Sequence, residues 1–143
     1  MNSTLENIHV TEQPTLADFE AMHDYLSGYT LSSAVYVAAK LAIADELVDG
    51  PLSIASLASV LSVNESALYR LMRALASAGI FCELPDRLFK LTALAATMRS
   101  DTLNSLRGLI MMCGSQWHWQ TWGGLLHTVQ TGEPFFIEHF KQN

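Results

Sequence analysis

Basic side chains are scarce in this sequence. It has 8 lysines and arginines against 14 aspartates and glutamates, which gives a formal net charge of −6. A protein that binds nucleic acid neutralises phosphates with clustered lysine and arginine. The sequence has neither the basic excess nor the cluster, so we expect no nucleic-acid partner.

Long apolar runs are also missing. A membrane-spanning helix needs roughly 20 predominantly apolar residues, and the longest candidate, residues 34–44, contains Lys40. The N-terminal stretch carries Glu6 and Glu12 where a secretory signal would have a basic region before an apolar one. We therefore expect no membrane partner and a cytoplasmic location.

Cysteine is nearly absent. The two cysteines, Cys82 and Cys113, lack the spacing of metal ligands, so the sequence predicts buried and reduced thiols in a cytoplasmic protein. His118 and His127 are too poorly aligned on one helix face to chelate an ion. The sequence therefore predicts no metal site.

Apolar residues are abundant. Half of the 143 residues are hydrophobic and only 15% are charged, and the mean hydropathy is +0.20. A single domain of this size buries only about two-thirds of its unfolded surface, so some apolar side chains must remain outside. Exposed apolar patches usually mark an interface, and we expect the chain to associate with itself.

The N-terminal part predicts two helices after a flexible tail. Residues 1–13 are polar and without apolar periodicity, which is typical of a tail. Pro14 suits the start of a first helix, and we expect Gly28 to interrupt it. Small and apolar side chains then recur at helical spacing in a second helix, which we expect to end at Gly50-Pro51.

The middle of the chain predicts a winged helix-turn-helix. We expect Ser53 to cap a short helix over residues 54–61, and Asn64 to cap the next one. A capping box formed by Ser62 and Glu65 is the alternative to the Asn64 cap. Gly79 ends that second helix. Residues 80–84 and 87–91 then flank Pro85-Asp86 as a small β-hairpin, and Thr92 caps another short helix.

The C-terminal part is apolar and predicted to be helical from Ser105 onward. One helix precedes Gly114, and a second runs from the tryptophans through Val129 until Gly132 and Pro134 end it. The predicted fold is therefore mainly α: a winged helix-turn-helix with a small β-hairpin wing and extra N- and C-terminal helices. We assign residues 14–100 to the winged-helix domain and residues 101–143 to a helical arm.

An ordered series of short blocks resembles a known family. The match extends from about Leu16 to Phe136, and although each block alone is weak, their order is specific. The blocks are residues 41–47, 50–51, 68–75, 79–81, 89–92, 105–107, 119–123 and 131–135. Together they resemble the N-terminal dimerisation domain of S-adenosylmethionine-dependent small-molecule O-methyltransferases.

The resemblance implies an intertwined homodimer whose helices form part of the wall and lid of an acceptor pocket. In the family, a doubly wound α/β domain follows and supplies the S-adenosylmethionine site and a catalytic histidine. Neither can be placed here, because the glycine pair Gly123-Gly124 lies in a helical stretch and not after a strand. We expect no catalytic residue and no cofactor site in this chain, which alone should be inactive; the arm would lead toward an absent catalytic domain.

Seven side chains are candidates for an acceptor pocket that binds an aromatic small molecule. The resemblance implies that Tyr25 and Tyr29 reach a partner's pocket. Trp117 suits an aromatic wall for a planar ring, with ordinary packing as an equal alternative, and methionines could either shape a pocket or fill gaps in the core. The full set is Tyr25, Tyr29, Met111, Met112, Trp117, His118 and Phe135.

Two other functions remain open at the level of sequence. A stand-alone regulator would use Arg70 and Arg73 on DNA, or would bind an aromatic ligand. A structural protein would pair with a longer relative as a heterodimer. A separate catalytic methyltransferase domain is a further possible partner of the predicted dimerisation domain.

Overall fold

The computed structural model describes residues 13–140, apart from the side chains of residues 138 and 139. The predicted tail, except residue 13, lies outside the described residues. The predicted mainly α winged helix with a small sheet and flanking helices is confirmed. Its elements are α1 Leu16–Lys40, α2 Ile43–Glu46, β1 Leu52–Ser53, α3 Ile54–Leu61, α4 Glu65–Ser77, β2 Phe81–Leu84, β3 Leu88–Leu91, α5 Ala93–Ala96, α6 Arg107–Cys113, α7 Gln116–Gly123, α8 Leu125–Thr131 and α9 Phe135–Phe140.

Helix α1 is one continuous element of 25 residues. Its start is fixed by a capping box, in which Thr15 and Asp18 exchange side-chain and backbone hydrogen bonds. The hydrogen bonds from the Thr15 hydroxyl and backbone N–H hold the pKa of the Asp18 carboxyl below its ordinary value. The predicted interruption at Gly28 is wrong, because a single glycine costs a helix only about 1 kcal/mol relative to alanine.

The predicted end of the second helix at Gly50-Pro51 is also wrong. Helix α1 ends at Lys40, and Ala42 then adopts a left-handed backbone with φ of 56° before α2 begins. The Arg107 side chain donates from Nε to the Ala39 carbonyl oxygen at 3.1 Å, which satisfies one of the last carbonyls of α1. A contact from a segment 68 residues away therefore helps to set this helix end.

The backbone at Ala42 leads to a testable prediction. A left-handed conformation costs a non-glycine residue roughly 1–2 kcal/mol, so Ala42→Gly is expected to raise the free energy of unfolding by up to about 1 kcal/mol after the entropy of glycine in the unfolded chain is counted. Ala67→Gly, on the exposed surface of α4, is the matched control and should lower it by about 1 kcal/mol. Chemical denaturation measures both; a loss of stability in Ala42→Gly would contradict the assignment.

Three predicted helix caps are confirmed. Ser53 accepts a hydrogen bond from the Ser56 N–H at 3.1 Å, Asn64 from Ala67 at 2.9 Å, and Thr92 from Ala95 at 3.0 Å. The alternative capping box does not form, because Ser62 is the left-handed C-cap of α3, with φ of 56°. These short polar caps fix where the helices of the winged helix begin.

The sheet is antiparallel, with strand order β1-β3-β2. The predicted hairpin is present, and a 3₁₀ turn over residues 85–87 joins β2 to β3. Strand β1 was not predicted, because two residues are too few to show a period; Leu52 pairs with Phe89 in the observed register. Strand β1 therefore adds a third strand to the hairpin beside β3, and α3 begins directly after it.

The hydrophobic core lies between the C-terminal part of α1, helices α2–α4 and the sheet. On α4, Leu68, Met72 and Leu75 are buried in it, and Leu71 is only partly buried. The largest fully buried side chains are Ile43, Leu47, Leu57, Met72, Leu75, Phe81 and Phe89.

The arm packs loosely around this body. Helix α6 lies against α1, with the Tyr36 ring directly over Gly114. The helix predicted to run through Val129 is broken at Gly124, and the Phe135 ring packs on that glycine where a Cβ would overlap it. Among the residues of 107–140 whose burial the structure describes, Gly124 alone is buried.

Candidate interaction surface and acceptor-facing arm

The N-terminal half of α1 exposes large apolar side chains along one broad face, whereas Glu20 and Asp24 are exposed on the other. The buried residues of α1 are Ala38 and Ala39, both near its C-terminus. An apolar face of this kind normally packs against a core or another chain, and in the described structure nothing buries the apolar face of this part of α1. We call it the α1 segment; its large apolar side chains, with exposed fractions of 58–80%, are Leu16, Phe19, Met22, Tyr25, Leu26 and Tyr29.

The arm carries a second exposed apolar surface. Its side chains are 44–74% exposed, although most would be buried in an ordinary core. We call it the arm surface; it consists of Trp117, Trp122, Leu125, Leu126, Val129, Phe136 and Ile137.

The α1 segment contacts helix α7 of the arm through an aromatic pair, and a groove lies beside this contact. The rings of Tyr29 and Trp119 are edge-to-face, with centroids 6.0 Å apart, which joins α1 to α7. Beside this contact lies an apolar groove of about 340 Å³. The groove is lined by Gly28, Leu31, Ser32, Val35, Leu109, Ile110, Cys113, Gly114 and Trp119.

The seven candidate pocket residues lie in four places, and none of them lines the groove. Tyr25 and Tyr29 are on the α1 segment, and Tyr29 reaches the groove only through Trp119. Met111 packs against the core, whereas Met112 on the same helix is 43% exposed.

The remaining candidates are on the arm. The centroid of the Trp117 ring lies 5.6 Å from that of the His118 ring and 6.2 Å from that of the Phe136 ring, and both pairs are edge-to-face. Phe135 is on the other side of the α8–α9 turn, where it packs on Gly124 and near His127. Trp117 and His118 are therefore brought together, and Phe135 belongs to a separate contact.

The hydrogen bond between Trp122 and His118 defines the chemistry of this histidine. The Trp122 indole N–H donates to His118 Nε2 at 2.8 Å. An indole nitrogen can only donate, so Nε2 must carry a lone pair and the neutral ring holds its proton on Nδ1. His118 can therefore offer an N–H donor beside two aromatic rings.

Sequence reasoning missed the groove residues. Leu109, Ile110 and Trp119 line the groove, and none of them is among the seven candidates. The thiols were predicted to be buried; Cys82 is partly exposed and Cys113 is exposed at the groove. Helical periodicity identifies a face of one helix but not the neighbouring helix that completes a groove.

In a winged helix that binds DNA, side chains of the second helix and the wing would contact the DNA. Here these side chains contact each other. The Tyr69 hydroxyl donates to Glu83 Oε1 at 3.0 Å, and Arg73 Nε lies 3.6 Å from Glu83 Oε2. The Arg87 guanidinium stacks over the Tyr69 ring, 4.7 Å from its centroid. Two of the few basic side chains therefore bind α4 to the wing, and Glu83 adds a negative charge to this surface.

The described residues were compared with three other kinds of site: a cofactor-binding loop, a metal cluster and a membrane-spanning helix. In residues 13–140, β1 and β3 lead directly into helices capped by Ser53 and Thr92, and β2 into a turn, so no glycine-rich loop between a strand and a helix is present to hold S-adenosylmethionine. Over the same residues, no group of three metal-ligating side chains comes together. Within that range no helix has the length and apolar character needed to cross a membrane.

The fold is that of a winged-helix module with exposed apolar surfaces on α1 and on the arm. The family model described as the O-methyltransferase dimerisation domain matches residues 23–101. The chain therefore belongs to the family of O-methyltransferase dimerisation domains.

Individual relatives agree with this assignment. Phenazine O-methyltransferase PhzM of Lysobacter antibioticus is 40% identical over 80% of this chain and 33% of its own length. The mitomycin biosynthesis 6-O-methyltransferase of Streptomyces lavendulae is 35% identical over 82% of this chain and 34% of its own length. The crystal structure of LaPhzM superposes with a TM-score of 0.81 at 37% identity, over 86% of this chain and 37% of that one. The chain thus spans about a third of the length of these relatives.

Proposed function

We propose that this chain is the dimerisation and acceptor-lid part of an S-adenosylmethionine-dependent methyltransferase that acts on a planar aromatic small molecule in the cytoplasm. Residues 14–100 form the dimerisation domain and residues 101–143 form the arm toward a catalytic domain. The catalytic domain, which holds S-adenosylmethionine, lies outside residues 1–143. The observation that carries this proposal is the exposure of apolar side chains around the α1 segment.

The exposed apolar area is large enough for an obligate dimer. Such an interface buries roughly 2,000 Å² or more in total, which is about 1,000 Å² from each protomer. The α1 segment and the arm surface together present thirteen large side chains that are 44–80% exposed. At roughly 80–100 Å² for a half-exposed large side chain, they supply this area. An intertwined homodimer, in which each α1 segment lies on the partner's arm, covers both surfaces at once.

The lid role rests on the arm. Trp117 and Phe136 form an aromatic corner, and His118 adds a hydrogen-bond donor beside it. A flat apolar wall with a single donor suits a planar ring that carries an oxygen or nitrogen acceptor. The name of the Lysobacter relative specifies a phenazine, which is a molecule of this kind.

A chimaera tests both halves of the proposal. This chain would replace the matching N-terminal region of phenazine O-methyltransferase PhzM of Lysobacter antibioticus, and the same relative without that region would be the control. We expect the chimaera to be dimeric and to methylate a phenazine, whereas the control should be monomeric and at least roughly tenfold less active. In the chimaera, Trp117→Ala should raise KM for the acceptor more than it lowers kcat.

The outcomes separate the two roles. A monomeric chimaera would refute dimerisation, and a dimeric chimaera that binds no acceptor would refute the lid role. A regulator would instead require this chain to retard duplex DNA at moderate salt, a result that the Arg73–Glu83 pair and the charge of −6 disfavour.

A further inference from the structure

The loop between α5 and α6, residues 97–106, closes on itself. The Leu106 N–H donates to the Thr97 carbonyl oxygen at 2.8 Å, and the Ser105 hydroxyl donates to the same oxygen at 3.5 Å. The Thr102 hydroxyl donates to the Ala96 carbonyl oxygen at 3.3 Å. A surface loop whose ends meet in this way is a compact unit and not a free linker. The α5–α6 loop can therefore pass a fixed orientation from the winged helix to α6.

Both sides of this loop are bound to one short segment at the end of α1. We call that segment, residues 39–45, the α1–α2 corner. The Asp45 carboxylate accepts at Oδ1 from the Ser100 N–H at 2.8 Å and from the Ser100 hydroxyl at 3.1 Å. After the loop, Arg107 at the start of α6 donates from Nε to the Ala39 carbonyl oxygen at 3.1 Å. The α1–α2 corner is therefore tethered to the chain on both sides of the turn into the arm.

The Ala39 carbonyl oxygen links three elements. Ala39 is 1% exposed, and its oxygen also accepts from the N–H of Ala42, the residue in the left-handed turn before α2, at 3.2 Å. The Arg107 guanidinium lies at the C-terminal end of α1, where the helix dipole favours a positive charge. Among the described residues no carboxylate forms an ion pair with Arg107. Its side chain therefore acts on the backbone of α1 and not on another side chain.

These two tethers matter because little apolar burial holds the arm. In the described part of the arm beyond residue 106 only Gly124 is buried, and Ile110 and Met111 are partly buried where they pack against the core. Apolar contacts have no preferred direction, whereas a hydrogen bond weakens steeply when its angle changes. The tethers therefore fix the angle at which α6 leaves the winged helix more narrowly than packing does.

We propose that Arg107 and Asp45 are positioning residues, which set the angle of the arm through the α5–α6 loop. Neither is one of the seven pocket candidates, and neither lines the groove. By holding α6 they determine where α7 and α9 carry Trp117 and Phe136, the aromatic corner of the proposed lid. The effect on the acceptor rests on the proposed function, whereas the effect on the arm belongs to this chain alone.

Hydrogen exchange measured by mass spectrometry on the full chain tests the Arg107 tether. Arg107→Met keeps an unbranched apolar stem and removes the donor. Amides of α6 and α7 are then expected to exchange at least roughly tenfold faster, since a hydrogen bond from a charged group contributes about that factor. Amides of α3 and α4 should keep their rates, which shows that the variant is folded. Arg107→Lys retains a donor and the charge and should restore most of the protection.

Arg70→Met is the matched control, because Arg70 is exposed on α4 and the same charge is lost. It should leave exchange in the arm unchanged. Asp45→Ala tests the second tether: amides around Ser100 and in α6 should exchange roughly fivefold faster or more, while those of α4 keep their rates. This variant keeps the inference testable if Arg107→Met does not fold.

Kinetics of the chimaera with phenazine O-methyltransferase test the positioning role. Arg107→Met should raise KM for a phenazine acceptor at least roughly fivefold and leave kcat and the KM for S-adenosylmethionine within about twofold, because contacts of the lid bind the acceptor without taking part in methyl transfer. A loss of folded protein would lower kcat and leave KM unchanged. Arg70→Met should change none of the three constants.

The results separate this inference from the proposed function. Unchanged exchange of the arm in both Arg107→Met and Asp45→Ala would overturn the tethers and leave the proposed function standing. Faster exchange with an unchanged KM for the acceptor would show that the angle of the arm does not matter to the acceptor, and the positioning role would be wrong. A chimaera that binds no phenazine even with Arg107 intact would refute the lid role, and the exchange rates would still decide whether the tethers hold the arm.

Discussion

Replacement of Phe89 by alanine is expected to lower the free energy of unfolding by about 3–5 kcal/mol. Phe89 is fully buried at the centre of β3, between β1 and β2. Its ring meets the Tyr69 ring edge-to-face, with centroids 6.2 Å apart. The substitution therefore removes apolar burial and an aromatic contact, and leaves a cavity where the sheet and α4 meet. Urea denaturation at one fixed protomer concentration measures the loss, since the stability of a dimer depends on concentration.

Phe136→Ala is the matched control for Phe89→Ala. The Phe136 side chain is 44% exposed on the arm, and in the winged-helix body it supports nothing. We expect its removal to cost less than about 1 kcal/mol when both substitutions are compared in a chain made monomeric by Phe19→Asp with Leu26→Asp. Equal losses in the two variants would contradict the assignment of the core to the winged helix.

The double variant Phe19→Asp with Leu26→Asp is expected to abolish the dimer at micromolar concentration. The two side chains are 64% and 67% exposed on the α1 segment and lie along one side of it. The loss of two apolar anchors costs roughly 2 kcal/mol each, which corresponds to about a 1,000-fold rise in the dissociation constant. The dimer would also have to bury two unpaired carboxylates, so this figure is a minimum. Analytical ultracentrifugation measures the change.

Ser66→Asp with Ala67→Asp adds the same charge elsewhere and is the control for this experiment. Both residues are exposed in the first turn of α4, where acidic side chains are favourable. We expect this variant to remain dimeric. If both double variants dimerise like the wild type, the α1 segment is not the interface.

Local chemistry made the winged helix predictable. Ser53, Asn64 and Thr92 each place a short polar side chain before an apolar helical pattern, and each accepts the expected backbone hydrogen bond. Gly79 adopts a left-handed backbone with φ of 72° after α4, where a helix commonly ends. These signals depend only on neighbouring residues, so the sequence alone contains them.

The errors in the fold come from tertiary contacts. The left-handed turn at Ala42 follows a helix end that Arg107 supports from a distant segment, and the break at Gly124 is associated with a ring from α9. Gly28 does not interrupt α1, because the rest of the helix offsets the low helix propensity of one glycine. Residue spacing does not report contacts between segments that are far apart in the chain.

The candidate site was predictable only in part. The apolar excess led to the prediction of an interface, and the structure places that excess on the α1 segment and the arm surface. The acceptor role of the seven pocket candidates stays a prediction. The contact between Tyr29 and Trp119 and the groove beside it were not foreseen, since they require the angle at which α7 returns to α1.

Sedimentation velocity on the chain at several micromolar concentrations tests the central claim most directly. A surface with this much exposed apolar area should be covered by a second copy, so we predict a single boundary at about twice the protomer mass of 15.8 kDa, which persists on dilution to about 1 μM. A folded species that sediments at the protomer mass across this range would contradict the account.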